Sequence, residues 1–97
     1  MAMTPEKRVK QAVVKQLKEL GAYYFYPVTG GYGASGVPDI VGCYYGRFFC
    51  IECKAGKNKP TPLQQKNLDQ VKAMNGIAAV VNETNMHEVR NILEGLL

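Results

Sequence analysis

No apolar run in these 97 residues approaches membrane-spanning length, and the N-terminus carries no apolar secretory segment. The expectation is an intracellular globular protein with no membrane partner. Cysteine is sparse and odd in number. Cys43, Cys50 and Cys53 sit in strand-like stretches and read as buried free thiols, which excludes a disulfide framework. Histidine is nearly missing as well: His87 stands alone in an expected C-terminal helix, and Cys50 and Cys53 point to opposite faces of a strand, so a zinc site is disfavoured. The glycine-rich stretch 29–36 lacks the lysine spacing of a nucleotide-binding loop, which removes an ATPase signature. There is no repeat, low-complexity tract or internal linker. The length suits one domain over residues 1–97, with a single modest core.

What the chain does contain is positive charge and a soluble balance of residue types. Hydrophobic residues make up 46% and charged residues 21%, within the globular range. A net charge of +4 and a pI near 9.0 favour a polyanionic partner without identifying it. Lys57, Lys59 and Lys66 follow a strand that ends in charged residues and are candidate phosphate contacts. Lys7, Arg8, Lys10, Lys15 and Lys18 decorate the first helix, where a plain solvated surface is at least as good a reading.

The coarse order is helix, three strands, helix, strand, helix. Thr4 is the expected N-cap of a first helix with Pro5 at its first position, ending near Leu20 before Gly21; Val9, Val13, Leu17 and Leu20 form its buried stripe. Residues 22–28 read as the first strand. Residues 62–75 read as a helix capped by Thr61, with Leu68, Val71 and Met74 inward and Gly76 at its stop. A buried strand over 77–81 and an amphipathic helix over 86–97 close the chain.

The informative stretch lies between. Residues 39–45 and 48–55 are rich in β-branched and aromatic residues, and Gly46-Arg47 suits a two-residue turn with glycine first. If Tyr45 then faces Phe48, Cys43 faces Cys50, Val41 faces Glu52 and Asp39 faces Lys54. Side chains alternate, so Glu52 shares a face with Asp39 and Lys54 and lies roughly 7–8 Å diagonally from Asp39. Two carboxylates so placed can share a divalent cation beside an amine, which is equipment for phosphodiester cleavage. A slip of one residue would separate them onto opposite faces. The plainer alternative is a cross-strand Asp39–Lys54 ion pair worth about 0–1 kcal/mol, with Glu52 solvated. Against it, Phe48 and Cys50 on one side and Phe49, Ile51 and Cys53 on the other mark a strand covered on both faces. Ionised carboxylates leaving such a strand need a cation to offset desolvation. Glu6 extends the buried stripe of the first helix backwards by one turn. It is either a third acidic ligand or an ordinary helix-start acid favoured by the macrodipole. Tyr32, in the glycine-rich loop, is available to stack on a base, or the loop is merely a connection.

Val37-Pro38-Asp39 followed by Ile51-Glu52-Cys53-Lys54 resembles the Pro-Asp…Glu-x-Lys motif of the restriction-endonuclease-like nucleases. More narrowly, Tyr32 to Ile40, then Ile51 to Lys54, then Thr61-Pro62-Leu63-Gln64-Gln65-Lys66 resembles the VRR-NUC domain family over nearly the whole chain, in the compact form found in phages and bacteria. The resemblance implies an α/β fold with a restriction-endonuclease-like core, a mixed four-stranded sheet flanked by helices. It implies Asp39, Glu52 and the Cys53 carbonyl as ligands of Mg²⁺ or Mn²⁺, Lys54 as the group that polarises water and stabilises charge, and Glu6 as the acid of the first helix. Gln65 is the choice for the family's helix glutamine, with Gln64 a near competitor. The implied activity is structure-selective cleavage of branched DNA by a homodimer similar to Holliday junction resolvases. A non-catalytic nucleic-acid-binding module and a sequence-specific restriction-type endonuclease remain the alternatives. Tyr23 to Tyr26 and Leu96-Leu97 are candidate dimer surfaces.

Overall fold

A computed structural model describes residues 3–28 and 36–96. Helix α1 spans Pro5–Leu20. Thr4 caps it, its hydroxyl accepting from the Lys7 N–H, and Gly21 closes it in the left-handed region that a glycine adopts without steric cost. Strand β1 (Tyr23–Phe25) is shorter than the stretch 22–28 suggested. Strands β2 (Ile40–Tyr44) and β3 (Arg47–Cys53) form the hairpin, α2 (Pro62–Ala73) crosses over, β4 (Ile77–Val81) returns, and α3 (Val89–Leu93) completes the order.

The sheet runs β1-β2-β3-β4. The first two pairings are antiparallel and β3–β4 is parallel, as a helical crossover requires. Odd-numbered residues of β3 face α1 and α3, where Phe49, Ile51 and Cys53 pack with Val9, Val13, Leu17, Val81, Val89, Ile92 and Leu93. Even-numbered residues face α2, where Cys50 meets Val41 and Leu68. An interior strand covered on both sides explains why β3 reads as a nearly continuous apolar run. Burial drives the thiols upward, Cys50 to about 11 and Cys53 to about 12, so both stay protonated near neutrality.

Two expectations are corrected. The hairpin turn is Tyr45-Gly46, not Gly46-Arg47: both residues have positive φ, 49° and 83°, the mark of a type I′ turn whose twist matches that of the strands. Val41 therefore pairs with Cys50 and Cys43 with Phe48. Moving the turn by one residue shifts the pairing by two, so the assignment of side chains to faces survives. The last helix is also shorter than 86–97. Asn82 accepts from the Thr84 N–H and hydroxyl, Asn85 accepts from the Asn82 N–H and donates to the Val80 carbonyl, and these bonds hold 82–85 as a turn.

Candidate active site

Continued one residue past the Ile40–Ile51 pair, the observed register sets Asp39 opposite Glu52, rather than opposite Lys54 as the shifted turn had implied. Asp39 stands where β2 begins. Its Oδ2 accepts a 2.9 Å hydrogen bond from the Cys53 N–H, which ties the carboxylate to the C-terminal end of β3. Glu52 is 2% exposed and is the buried charged residue of the core among the described residues. Its Oε1 faces the Gln64 amide at 3.5 Å, while Oε2 is buried with no hydrogen-bond partner. That orphaned oxygen is costly unless a proton or a cation satisfies it.

The electrostatics follow. Burial, then a side-chain hydrogen bond with Asp39, then the Asp39 charge push the Glu52 carboxyl up to about 8 from 4.5. Lys54 opposes this, and Glu6 adds a weaker push in the same direction. Two carboxylates side by side, within electrostatic range of Lys54, form a donor set of hard oxygens. Such a set suits Mg²⁺ or Mn²⁺ and offers nothing to a thiophilic metal. Among the described residues no three acidic, histidine or cysteine side chains form a ready-made cage. The carboxylates that the fold brings together are thus Asp39 and Glu52. Glu6 is exposed on the first turn of α1, within electrostatic range of both Glu52 and Cys53 but not packed against them.

The helix glutamine is placed differently from the sequence choice. Gln65 points along the surface of α2 and donates to Asp69 at 2.9 Å. Gln64 is the one that turns inward. It sits at the third position of the helix, its backbone N–H donating to the Thr61 hydroxyl while its side-chain Oε1 accepts from the Thr61 N–H at 2.9 Å. With the amide oxygen so engaged, the NH₂ group is left to face Glu52. The signal was present in the sequence as the Thr-x-x-Gln capping box. Gly36 also escaped notice as a contributor. Its φ is +77°, and a Cβ there would lie 2.6 Å from the Leu63 carbonyl carbon and 2.8 Å from the Gln64 nitrogen. The segment leading into Asp39 thus rests directly on the first turn of α2.

The candidate phosphate contacts divide. Lys57 and Lys59 are exposed in the turn after β3, which Glu83 anchors by accepting from the Gly56 N–H at 2.9 Å; Lys66 is exposed on α2. Tyr32 lies outside the described residues, as does Leu97.

No protein-family model matches the sequence, and no curated protein matches it. Solved structures do. One described as a VRR_NUC domain superposes with a TM-score of 0.74 at 21% identity, covering 98% of this chain and 100% of its own. A second, a VRR_NUC domain protein, gives 0.74 at 19% identity over 99% and 93% of the two chains. Hjc of Archaeoglobus fulgidus, a Holliday junction resolvase from an archaeal hyperthermophile, gives 0.58 at 19% identity over 78% of this chain and 65% of that one. The chain has the restriction-endonuclease-like α/β fold. Within that class, its architecture is that of the VRR_NUC domain structures.

Proposed function

We propose that this chain is a metal-dependent, structure-selective endodeoxyribonuclease of the VRR-NUC family, hydrolysing phosphodiester bonds in branched DNA and acting as a homodimer on four-way junctions. The observation that carries the reading is the Asp39–Glu52 pair, half-buried at Asp39 and buried at Glu52, whose Oε2 has no hydrogen-bond partner and which feels the charge of Lys54. A structural ion pair has no use for an orphaned carboxylate oxygen in a covered strand.

Asp39, Glu52 and the Cys53 carbonyl would hold Mg²⁺ or Mn²⁺, which when bound neutralises phosphate charge and makes water a nucleophile near neutral pH. Asp39 is oriented for this by the Cys53 N–H. Holding the cation would require Glu52 to ionise, against the burial that raises its carboxyl. Gln64 steadies one Glu52 oxygen through its NH₂ group, and Lys54, on the same face, stabilises negative charge developing on the phosphate. Glu6, exposed at the start of α1, shapes the field and would join the site through water. The homodimer is supported by the need for two sites related by a two-fold axis in symmetric incision. It is supported too by β1, an edge strand that leaves Tyr23 69% and Phe25 50% exposed. Residence inside the cell accords with this substrate, and no helix among the described residues is long and apolar enough to cross a membrane.

The test is cleavage of labelled four-way junction, flap, splayed-arm and linear duplex DNA in Mg²⁺, Mn²⁺ or EDTA, beside Asp39→Ala. Metal-dependent cutting of branched DNA, lost in the variant, is the expected result. Binding without cutting under either metal would reduce the chain to a binding module, and equal cutting of plain duplex would favour a restriction-type enzyme.

A further inference from the structure

Away from Glu52, a groove of about 580 Å³ runs along α1, lined by Lys7, Lys10, Gln11, Val14, Lys15 and Lys18 with Tyr26 as its wall. The helical residues fall at spacings of three and four, so they form one continuous stripe. It contains four lysines and no acid, equal to the net charge of the whole chain. Among the described residues the ion pair within 4 Å is Arg90–Glu94, so these lysines are not neutralised by neighbours at that range. Lys10 is fixed with its Nζ 4.5 Å from the centre of the Tyr26 ring. The groove begins at Lys7, the chain neighbour of Glu6, whose charge reaches Glu52, and runs from there along α1 away from the site.

The geometry points to a second nucleic-acid contact: the α1 groove binds the phosphate backbone of a duplex arm extending from the Asp39–Glu52 site. This rests on the nuclease reading for what lies at the groove's inner end. From Lys7 to Lys18 the helix rises about 16 Å, at 1.5 Å per residue. That span matches about five phosphates of one strand, at 3.4 Å along the duplex axis. An anionic membrane is the poorer fit, because the apolar stripe of the same helix, Val9, Val13 and Leu17, is wholly buried in the core and has nothing to insert.

Lys15 and Lys18 lie farthest along the helix from the site and test the groove without touching the carboxylates. Binding of fluorescein-labelled duplex and four-way junction is followed by anisotropy in EDTA across a salt series, for wild type, K15Q/K18Q and the charge-matched control K72Q/R90Q. Each lysine engaged with phosphate contributes about 0.9 to the slope of log affinity against log salt. The wild-type protein is therefore expected to lose about twelvefold more affinity than K15Q/K18Q between about 50 and 200 mM salt, with K72Q/R90Q tracking wild type. Slopes unchanged in K15Q/K18Q, or lowered equally in both double variants, overturn the groove. So does binding to phosphatidylserine vesicles that K15Q/K18Q abolishes while the DNA slope stays unchanged. Metal-dependent junction cleavage by wild type is measured in parallel. Cutting with an unchanged slope refutes the groove alone, whereas neither cutting nor binding by wild type refutes both readings.

Discussion

Replacing Glu52 by glutamine should convert a protein whose metal-free stability falls with pH into one whose stability is nearly flat. In the folded chain the Glu52 carboxyl keeps its proton up to about pH 8, against 4.5 for the ordinary group. The unfolded chain ionises it near the ordinary value. From there upward the folded state binds more protons than the unfolded one, and stability drops by about 1.4 kcal/mol per pH unit. The sign is that of a raised carboxyl: its contribution is fully present below pH 4.5 and is lost as pH rises through about 8. Between about pH 5 and pH 8 the loss has a ceiling of about 4 kcal/mol, or upwards of 10 °C in Tm for a chain of this size. Cys50 and Cys53 do not blur this window, since their raised values reduce stability only above the ordinary thiol value of 9.0. Urea unfolding in EDTA at several pH values measures the effect, and Glu52→Gln should remove most of the slope. Adding Mg²⁺ or Mn²⁺ should restabilise wild type more at pH 8 than at pH 6, and the variant little at either. A variant whose stability declines with pH as steeply as wild type would refute the reasoning, because the proton would then reside elsewhere.

Three further outcomes test the positioning of the site. Gln64→Ala should cost about 1 kcal/mol through loss of the capping box and also lower cleavage, whereas Gln65→Ala should stay within about 0.5 kcal/mol and leave cleavage intact; melting and single-turnover rates separate the two. Gly36→Ala should destabilise by about 1–3 kcal/mol and slow cleavage, since its methyl group must displace the first turn of α2; a normal rate in the folded variant would show that this contact does not position Gln64. Leu17→Ala, in the fully buried layer between α1 and the sheet, should lower stability by about 2–5 kcal/mol in denaturant titration while leaving the metal dependence of the remaining folded protein unchanged.

Much of the fold could be read from local chemistry. The Thr4-Pro5 start and Gly21 stop of α1, and the limits of β4, follow from capping residues and an unbroken apolar run. The alternation that joins Asp39 and Glu52 on one face was also legible, because a period of two tolerates the turn error made at Tyr45-Gly46. That error arose because a tyrosine at positive φ is locally unfavourable, and the matched twist of the strands outweighs the local preference. The end of the chain misled for a different reason: asparagine side chains bonded to their own backbone compete with helix, and apolar periodicity alone does not register them. At the site, Gln64 and Gln65 are adjacent and chemically identical. Only the reciprocal bonds with Thr61 distinguish them, and those point Gln65 outward to Asp69.

The two ends of the Gln64 amide serve different masters, one holding the start of α2 and the other meeting Glu52. Fraying of that helix end and loosening of the acidic pair are therefore one motion. Deuterium uptake at the backbone amides of Gln64 and Gln65 should slow when the carboxylates are occupied, giving a readout of site loading that needs no DNA.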